Sequence, residues 1–439
     1  MTRLTYLLAG ALFFLFSCSL GKTDLFDRPD NDAITQADPN TKLYVPTKKI
    51  TSTPGHHWFA YYDKIQADPS NRYVLGMKTM FENRSPNEND TIEIGMVDLN
   101  DDCKWIKLGE SRAWGWQQGC QLQFIPRSKN EVLWNDKEGD NFVCHIMNIE
   151  TREKRTIPWT VYALSPDGKW AITVDYRRVN ETRPGYGYAG IPDPNRDVLA
   201  PDNSGIWKVN LETGEAQLII SIAQVAAIEN PYDTEIKDAK HWFNHLLVNP
   251  DGTRFIFLHR WRYPDQERTA KYANVGGWGT RMLTANMDGS DIRIIDPYNY
   301  TSHFIWRDPQ HILAWTNVPH KGGNGFFLFE DSATENIEQI GKGVMTENGH
   351  CTYLPGNEWI LNDTYPHSET GLQSVYLFHV STGKRVPLGD FYSPLKRTLE
   401  WRCDTHPRST LDGNFVIVDS PNIEGRQMYM LDVRKIVNK

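Results

Sequence analysis

The sequence predicts an all-β fold, a seven-bladed β-propeller running from about Lys42 to Lys439. Two short signatures that alternate seven times along the chain, and a set of histidines that keep step with them, predict it. The first signature is a tight turn leading into a β-rich run, as in Ser165-Pro-Asp-Gly-Lys-Trp-Ala-Ile and Asn249-Pro-Asp-Gly-Thr-Arg-Phe-Ile. Pro, Asp, Asn and Gly supply the turn, and β-branched or aromatic residues supply the strand. The second is a strand, a polar turn and another strand, as in Val209-Asn-Leu-Glu-Thr-Gly. Self-similarity with four short strands per unit is the mark of a propeller.

Taken in order, the turn signature recurs at Ala67, Ile125, Ser165, Asn249, Arg307, Leu354 and Leu411. The first two matches are the weakest, so the count of seven rests on them. The strand-turn-strand signature recurs at Met96, Met147, Val209, Ala285, Phe329, Phe378 and Leu431. The longest extras fall in the third and fourth units: 177–203, 221–240 and 260–279. Ser221 to Ile228 within them reads as a short helix. Insertions of this kind become loops on one face of a propeller and shape a cleft.

The N-terminus reads differently. Arg3 precedes an apolar run from Leu4 to Phe16, too short to span a bilayer and laid out like a signal peptide. Ser17-Cys18 then looks like a lipoprotein cleavage site, so residues 1–18 are expected to be a leader cut before Cys18. Residues 19–41 are polar and read as a tether. The expectation is an exported protein, lipid-anchored at the cell envelope, meeting the membrane only through that anchor, and monomeric. Net charge is −8, which argues against a nucleic-acid partner. A local cluster of Arg and His would still bind an anionic sugar. Aromatics make up 12% of the chain, with 15 Trp, a composition that suits either sugar stacking or an ordinary β-core. Without Cys18 an odd number of cysteines remains, so no disulfide framework is expected.

Four histidines occupy nearly equivalent places in successive units. His245 and His406 lie seven residues before the turn glycine, His350 lies six before it, and His303 lies six before Pro309. Innermost strands of a propeller point toward one axis, so these residues are expected to converge. Imidazole and thiolate are good ligands for zinc or manganese and poor ones for calcium. The expected divalent-metal ligands are His303, His350, Cys403 and His406, with His245 on metal or substrate and Cys351 beside the ring. Gln121 stands at the histidine offset in the second unit. The segment from Gly55 to Lys64 holds His56, His57, Tyr61 and Tyr62. Arg183-Pro-Gly-Tyr-Gly-Tyr188 presents one guanidinium and two phenols on a conformationally restricted loop. Arg is suited to two-pronged capture of a carboxylate or sulfate. No phosphate-binding glycine loop, nucleophile elbow or zincin helix is present.

His56-His-Trp-Phe-Ala-Tyr-Tyr-Asp-Lys64, Trp116-Gln-Gln-Gly119, the Arg183–Tyr188 loop, His241-Trp-Phe-Asn-His245, Gly349-His-Cys351 and Arg402-Cys-Asp-Thr-His-Pro-Arg408 together resemble the oligogalacturonate-lyase-like propellers. Within that group the chain is similar to relatives acting on rhamnose–uronate polymers such as ulvan: lyases, a rhamnosidase and an oligosaccharide dehydratase. The resemblance covers roughly residues 55–432. It implies β-elimination at a uronate, by lyase or dehydratase chemistry, giving a 4,5-unsaturated product. It also implies a catalytic set of His56, His57, Tyr188 and Arg183, with a largely structural metal site apart from it. Gln118, His245, His259 and Arg260 are the expected substrate contacts. A second catalytic histidine in the second unit has no counterpart here, where Gln117, Gln118 and Gln121 stand. The alternatives are a rhamnosidase, which hydrolyses without forming a double bond, and a non-catalytic glycan-binding propeller.

Overall fold

The computed structural model describes residues 24–27, 40–265, 277–394, 399–422 and 425–438. The leader and almost all of the tether lie outside the described residues. Seven antiparallel sheets follow one another around a ring, one per predicted repeat. The first blade is built from His56–Trp58, Tyr73–Thr79, Ile92–Asp98 and Lys104–Ser111, and the order inner to outer follows the chain. The two weakest turn matches, at Ala67 and Ile125, each sit inside a blade.

Recurrence of the turn signature has a packing reason. Gly252 and Gly413 both have positive φ, at 78° and 73°, where a side chain is strained. A Cβ at either would meet the proline of the preceding blade's turn, 3.2 Å from Pro166 and 3.0 Å from Pro355. Proline and glycine of successive turns therefore interlock around one face.

The seventh blade corrects the sequence reading. After Gly425–Asp432 the chain forms a short helix, Arg434–Val437, not a fourth strand. The outermost strand comes from the N-terminal side: Thr47–Lys49 pairs antiparallel with Gly425–Asp432, Thr47 opposite Leu431. Lys42–Leu43 just before it extends the sixth blade by pairing with Lys384–Tyr392. Joining first and last segments of the chain in one sheet closes the ring and covers two sheet edges.

Within each blade, one end of the sheet carries the short signature turns and the other carries the blade-to-blade connections. All the long insertions emerge from the second end. They include two helices, Tyr176–Thr182, capped by the Asp175 side chain on Arg177 N, and Ile222–Ala226, capped by Ser221 on Gln224 N. The second was expected; the first replaces what reads as loop. Apolar clusters fill the spaces between neighbouring blades and leave a polar axis. None of the five described cysteines is in a disulfide.

Candidate active site

The histidine set converges as its spacing predicts. His245, His303, His350 and His406 lie around Tyr61 and Tyr62 at the axis. Ring centroids are 4.9 Å apart for Tyr61 and His245, and 5.1 Å for Tyr61 and His406. Tyr62 lies 5.9 Å from His303 and 5.3 Å from His350. His350 contacts both His303, at 4.2 Å, and His406, at 4.3 Å. The backbone explains how they get there. Gln121, His245 and His406, at matching places in the second, fourth and seventh blades, all have positive φ (58°, 52° and 38°). Non-glycine residues adopt such angles rarely and at a cost of about 1 kcal/mol or more. Beside His245 a register shift between Asn244 and Leu247 adds a bulge, a device that re-aims a side chain.

Burial holds the imidazoles of His245, His303 and His406 well below their ordinary pKa, with neighbouring positive charge adding to the effect. They are neutral at physiological pH and so able to bind a metal or accept a proton. His350 Nδ1 lies 3.0 Å from both carboxylate oxygens of Asp363, which also accepts from its backbone N–H and from the Thr405 hydroxyl. That fixes the ring and leaves Nε2 free, the usual second-shell arrangement of a metal histidine.

His350, Asp404 and His406 offer ligand atoms within 4.8 Å of one another, so a divalent cation fits between them. The His406 Nε2 is buried with no hydrogen-bond partner, as a ligand nitrogen would be. Asp404 is a candidate ligand that the sequence did not single out, and Cys403 is not among the three. Cys403, one position before Asp404, turns its Sγ toward the Asp404 carbonyl at 4.0 Å instead. Cys351 is likewise no ligand; it sits in an apolar cluster with Leu313 and Ile360, and burial raises its thiol pKa. His303 stands beside the three rather than among them. Its Nδ1 lies 3.0 Å from Asn348 Oδ1, and its Nε2 faces the Tyr365 hydroxyl at 3.4 Å.

A cavity of about 560 Å³ opens next to this ring on the insertion face. Tyr365, Asn348 and Ser302 form the wall nearest His303, and Arg183, Arg260 and Trp278 form another. Three guanidiniums surround Trp278: Arg183 at 4.7 Å, Arg262 at 5.4 Å and Arg260 at 5.7 Å from its ring centroid. Burial, then the Arg183 charge, lowers the pKa of Arg262. Arg260 is only 5% exposed, and its Nε and Nη1 have no hydrogen-bond partner among the described residues. The Arg183 loop reaches over the axis. Gln117 N donates to Gly185 O at 3.2 Å, and Gly185 lies against Glu400 of the connection into the seventh blade.

The remaining sequence candidates lie elsewhere. His56 sits 3.4 Å from Glu82, and His57 is buried edge-on to Trp105 beside Lys78. Tyr188 is fully buried, stacked 4.1 Å from Tyr176, its hydroxyl accepting from Asn135. His259 is enclosed in the fourth blade between His241, at 2.8 Å, and Arg281, at 3.0 Å. Gln118 reaches the ring indirectly: its Oε1 accepts from the Tyr162 hydroxyl, which accepts from His245 N. Tyr365, Asp363 and Trp278 belong to the site, yet they follow no repeat pattern that would mark them in the sequence.

No protein-family model matches the chain, and no curated protein does either. Among solved structures it is similar to an oligogalacturonate lyase in complex with manganese, with TM-score 0.64 and 15% identity over 92% of this chain and 96% of that one. It is also similar to an oligogalacturonate lyase from Vibrio parahaemolyticus, with TM-score 0.60 and 15% identity over 90% and 96%. What this chain shares with those lyases is the seven-bladed propeller, end to end.

Proposed function

We propose that this protein is a carbon–oxygen lyase that performs β-elimination at a uronate within an anionic, ulvan-like oligo- or polysaccharide. The observation that carries the reading is the pairing of an arginine-walled cavity with neutral histidines and protonated phenols. A uronate C5 proton is poorly acidic until the adjoining carboxylate is neutralised. Arg260, with Arg183 and Arg262, supplies guanidinium forks of the right shape for that carboxylate. A divalent cation, zinc or manganese, held by His350, Asp404 and His406 would add Lewis-acid neutralisation of the same negative charge.

Base and acid come from the ring. His245 Nδ1 has no partner, while its Nε2 faces the Tyr62 hydroxyl, so a free lone pair stands ready to take the C5 proton. Tyr365 sits in the cavity wall, and burial keeps its pKa above the ordinary phenol value, so it holds its proton until the C4 oxygen leaves. His303 Nε2 faces its hydroxyl at 3.4 Å and orients it, and solvent reprotonates the phenol once product has left. Departure of a sugar oxygen makes the enzyme a lyase, and departure of hydroxyl makes it a dehydratase. The described residues lining the cavity include no carboxylate, which disfavours a hydrolase that works with paired acids. Export to the cell envelope, as the N-terminus predicts, would place the enzyme where such polymers are met.

The test is incubation with ulvan oligosaccharides, followed by ultraviolet absorbance of the conjugated uronate and mass spectrometry. Unsaturated, shorter products mean lyase, and loss of water at unchanged chain length means dehydratase. Products without a double bond would replace this reading with rhamnosidase activity, and binding without products would leave a glycan-binding propeller.

A further inference from the structure

A second cavity, of about 220 Å³, opens between the second and third blades and takes no part in the chemistry above. We propose that it is an outlying sugar subsite, taking an uncharged pyranose of the same chain whose uronate occupies the arginine-walled cavity. The inference rests on the uronate reading and adds the neighbour that the enzyme recognises.

Its position comes first. The lining residues Asp140, Trp159 and Asp175 all belong to hairpins or connections on the insertion face, the face that carries Arg183 and Arg260. The helix Tyr176–Thr182 runs from this cavity to the other, with Asp175 capping its start and Arg183 at its end. Seven residues of helix span about 10 Å, a separation suited to sugars one or two units apart. Tyr176 lines the cavity on one side and stacks toward the axis through Tyr188 and Tyr162.

Its chemistry comes second. Trp159 and Trp207 form an angled pair, with centroids 5.6 Å apart and planes at 39°. Both are only partly buried, and Trp207 belongs to none of the apolar core clusters of the described residues. An indole face left open in a concave site is a platform for the C–H face of a sugar ring. Asp140 and Asn141 at the rim offer hydrogen bonds to hydroxyls. Arg177 in the lining is already held by Asp175, at 2.8 and 2.7 Å, so no unpaired guanidinium is offered to a carboxylate. Two guanidiniums lining one cavity, and none unpaired in the other, sort a charged sugar from a neutral one.

The experiment compares wild type with Trp207→Ala and Trp207→Phe on ulvan di- and tetrasaccharides. Elimination rates and calorimetric binding are both measured, and thermal melting confirms that each variant is folded. Trp207→Ala should raise KM and weaken binding for the tetrasaccharide up to about tenfold, the scale of one aromatic contact. The disaccharide constants and kcat should hold, and Trp207→Phe should recover most of the loss. Equal losses on both lengths, or none on either, would overturn the subsite. If Trp207→Ala fails to fold, Trp159→Ala takes its place under the same criteria. Failure of wild type to form an unsaturated product would instead overturn the uronate reading. The isotherms then decide the subsite alone: binding unchanged by the substitution, or no binding at all, would overturn it too.

Discussion

Arg260→Met should make the free protein more stable while nearly abolishing turnover. Arg260 is 5% exposed, two of its guanidinium nitrogens lack partners, and two further arginines share the ring of Trp278 with it. A buried charge without a counter-ion costs several kcal/mol, and replacing buried ionic groups by apolar ones of similar volume often stabilises by ~1–4 kcal/mol. Stacking on Trp278, worth about 1 kcal/mol, is lost in the exchange. A net gain of up to about 3 kcal/mol remains. Spread over the unfolding entropy of a chain this long, that gain raises Tm by up to roughly 4 °C. Turnover should fall by ~100- to 1,000-fold, as when one preorganised electrostatic stabiliser is removed. Differential scanning calorimetry and the ultraviolet product assay read the two effects on one preparation. Sulfate should stabilise wild type more than the variant, because the anion supplies the missing partner. A lower Tm with turnover intact would refute the reasoning and make Arg260 an ordinary structural arginine.

Chelation or His406→Ala should lower Tm and remove about one divalent ion per chain by elemental analysis; an ion content unchanged by the substitution would move the metal elsewhere. His245→Ala should fold normally and lose product formation by ~100-fold or more, whereas His57→Asn should keep turnover within a few-fold of wild type; the reverse pattern would return the base to the first blade. Burial, then the Lys78 charge, holds the folded-state pKa of His57 down to about 4 against an ordinary 6.5. The unfolded chain therefore binds the extra proton between those values. Stability contributed here is complete above pH 6.5 and falls as pH drops toward 4, by at most about 3 kcal/mol. Denaturant titrations across that window should show a smaller loss for His57→Asn than for wild type.

Much of the architecture was legible because a propeller repeats itself. Turns such as those of Gly252 and Gly413 pack on the proline of the blade before, so turn residues recur at readable intervals, and the histidines keep that register. Ring closure was not legible, since pairing Thr47–Lys49 with Gly425–Asp432 joins segments nearly 380 residues apart, and a two- or three-residue edge strand leaves no pattern. The helix Tyr176–Thr182 was missed for a related reason. Seven residues are too few to show a helical period, and the cap that starts it is a single aspartate.

At the site, spacing located the axial residues and could not say which side of the chain each presents. Cys403 and Asp404 differ by one position, yet only the carboxylate comes within reach of the His350 and His406 nitrogens. Residues drawn from the first blade fared the same way: Tyr61 and Tyr62 stand at the centre of the ring, while His56 and His57, four to six positions earlier, lie along the blade's inner strand among Glu82, Trp105 and Lys78. The arginines divide by the same rule of environment. Arg408 is as buried as Arg260, but Asp419 takes its guanidinium at 2.9 and 3.1 Å and Gln66 takes its Nε, so its charge is spent on the fold. Among the described residues Arg260 has no such partners, and the cost of burying its charge beside other cations is what an anionic substrate would relieve on binding. An unpaired buried guanidinium facing a cavity is therefore better evidence for a substrate's charge than any count of arginines in the sequence.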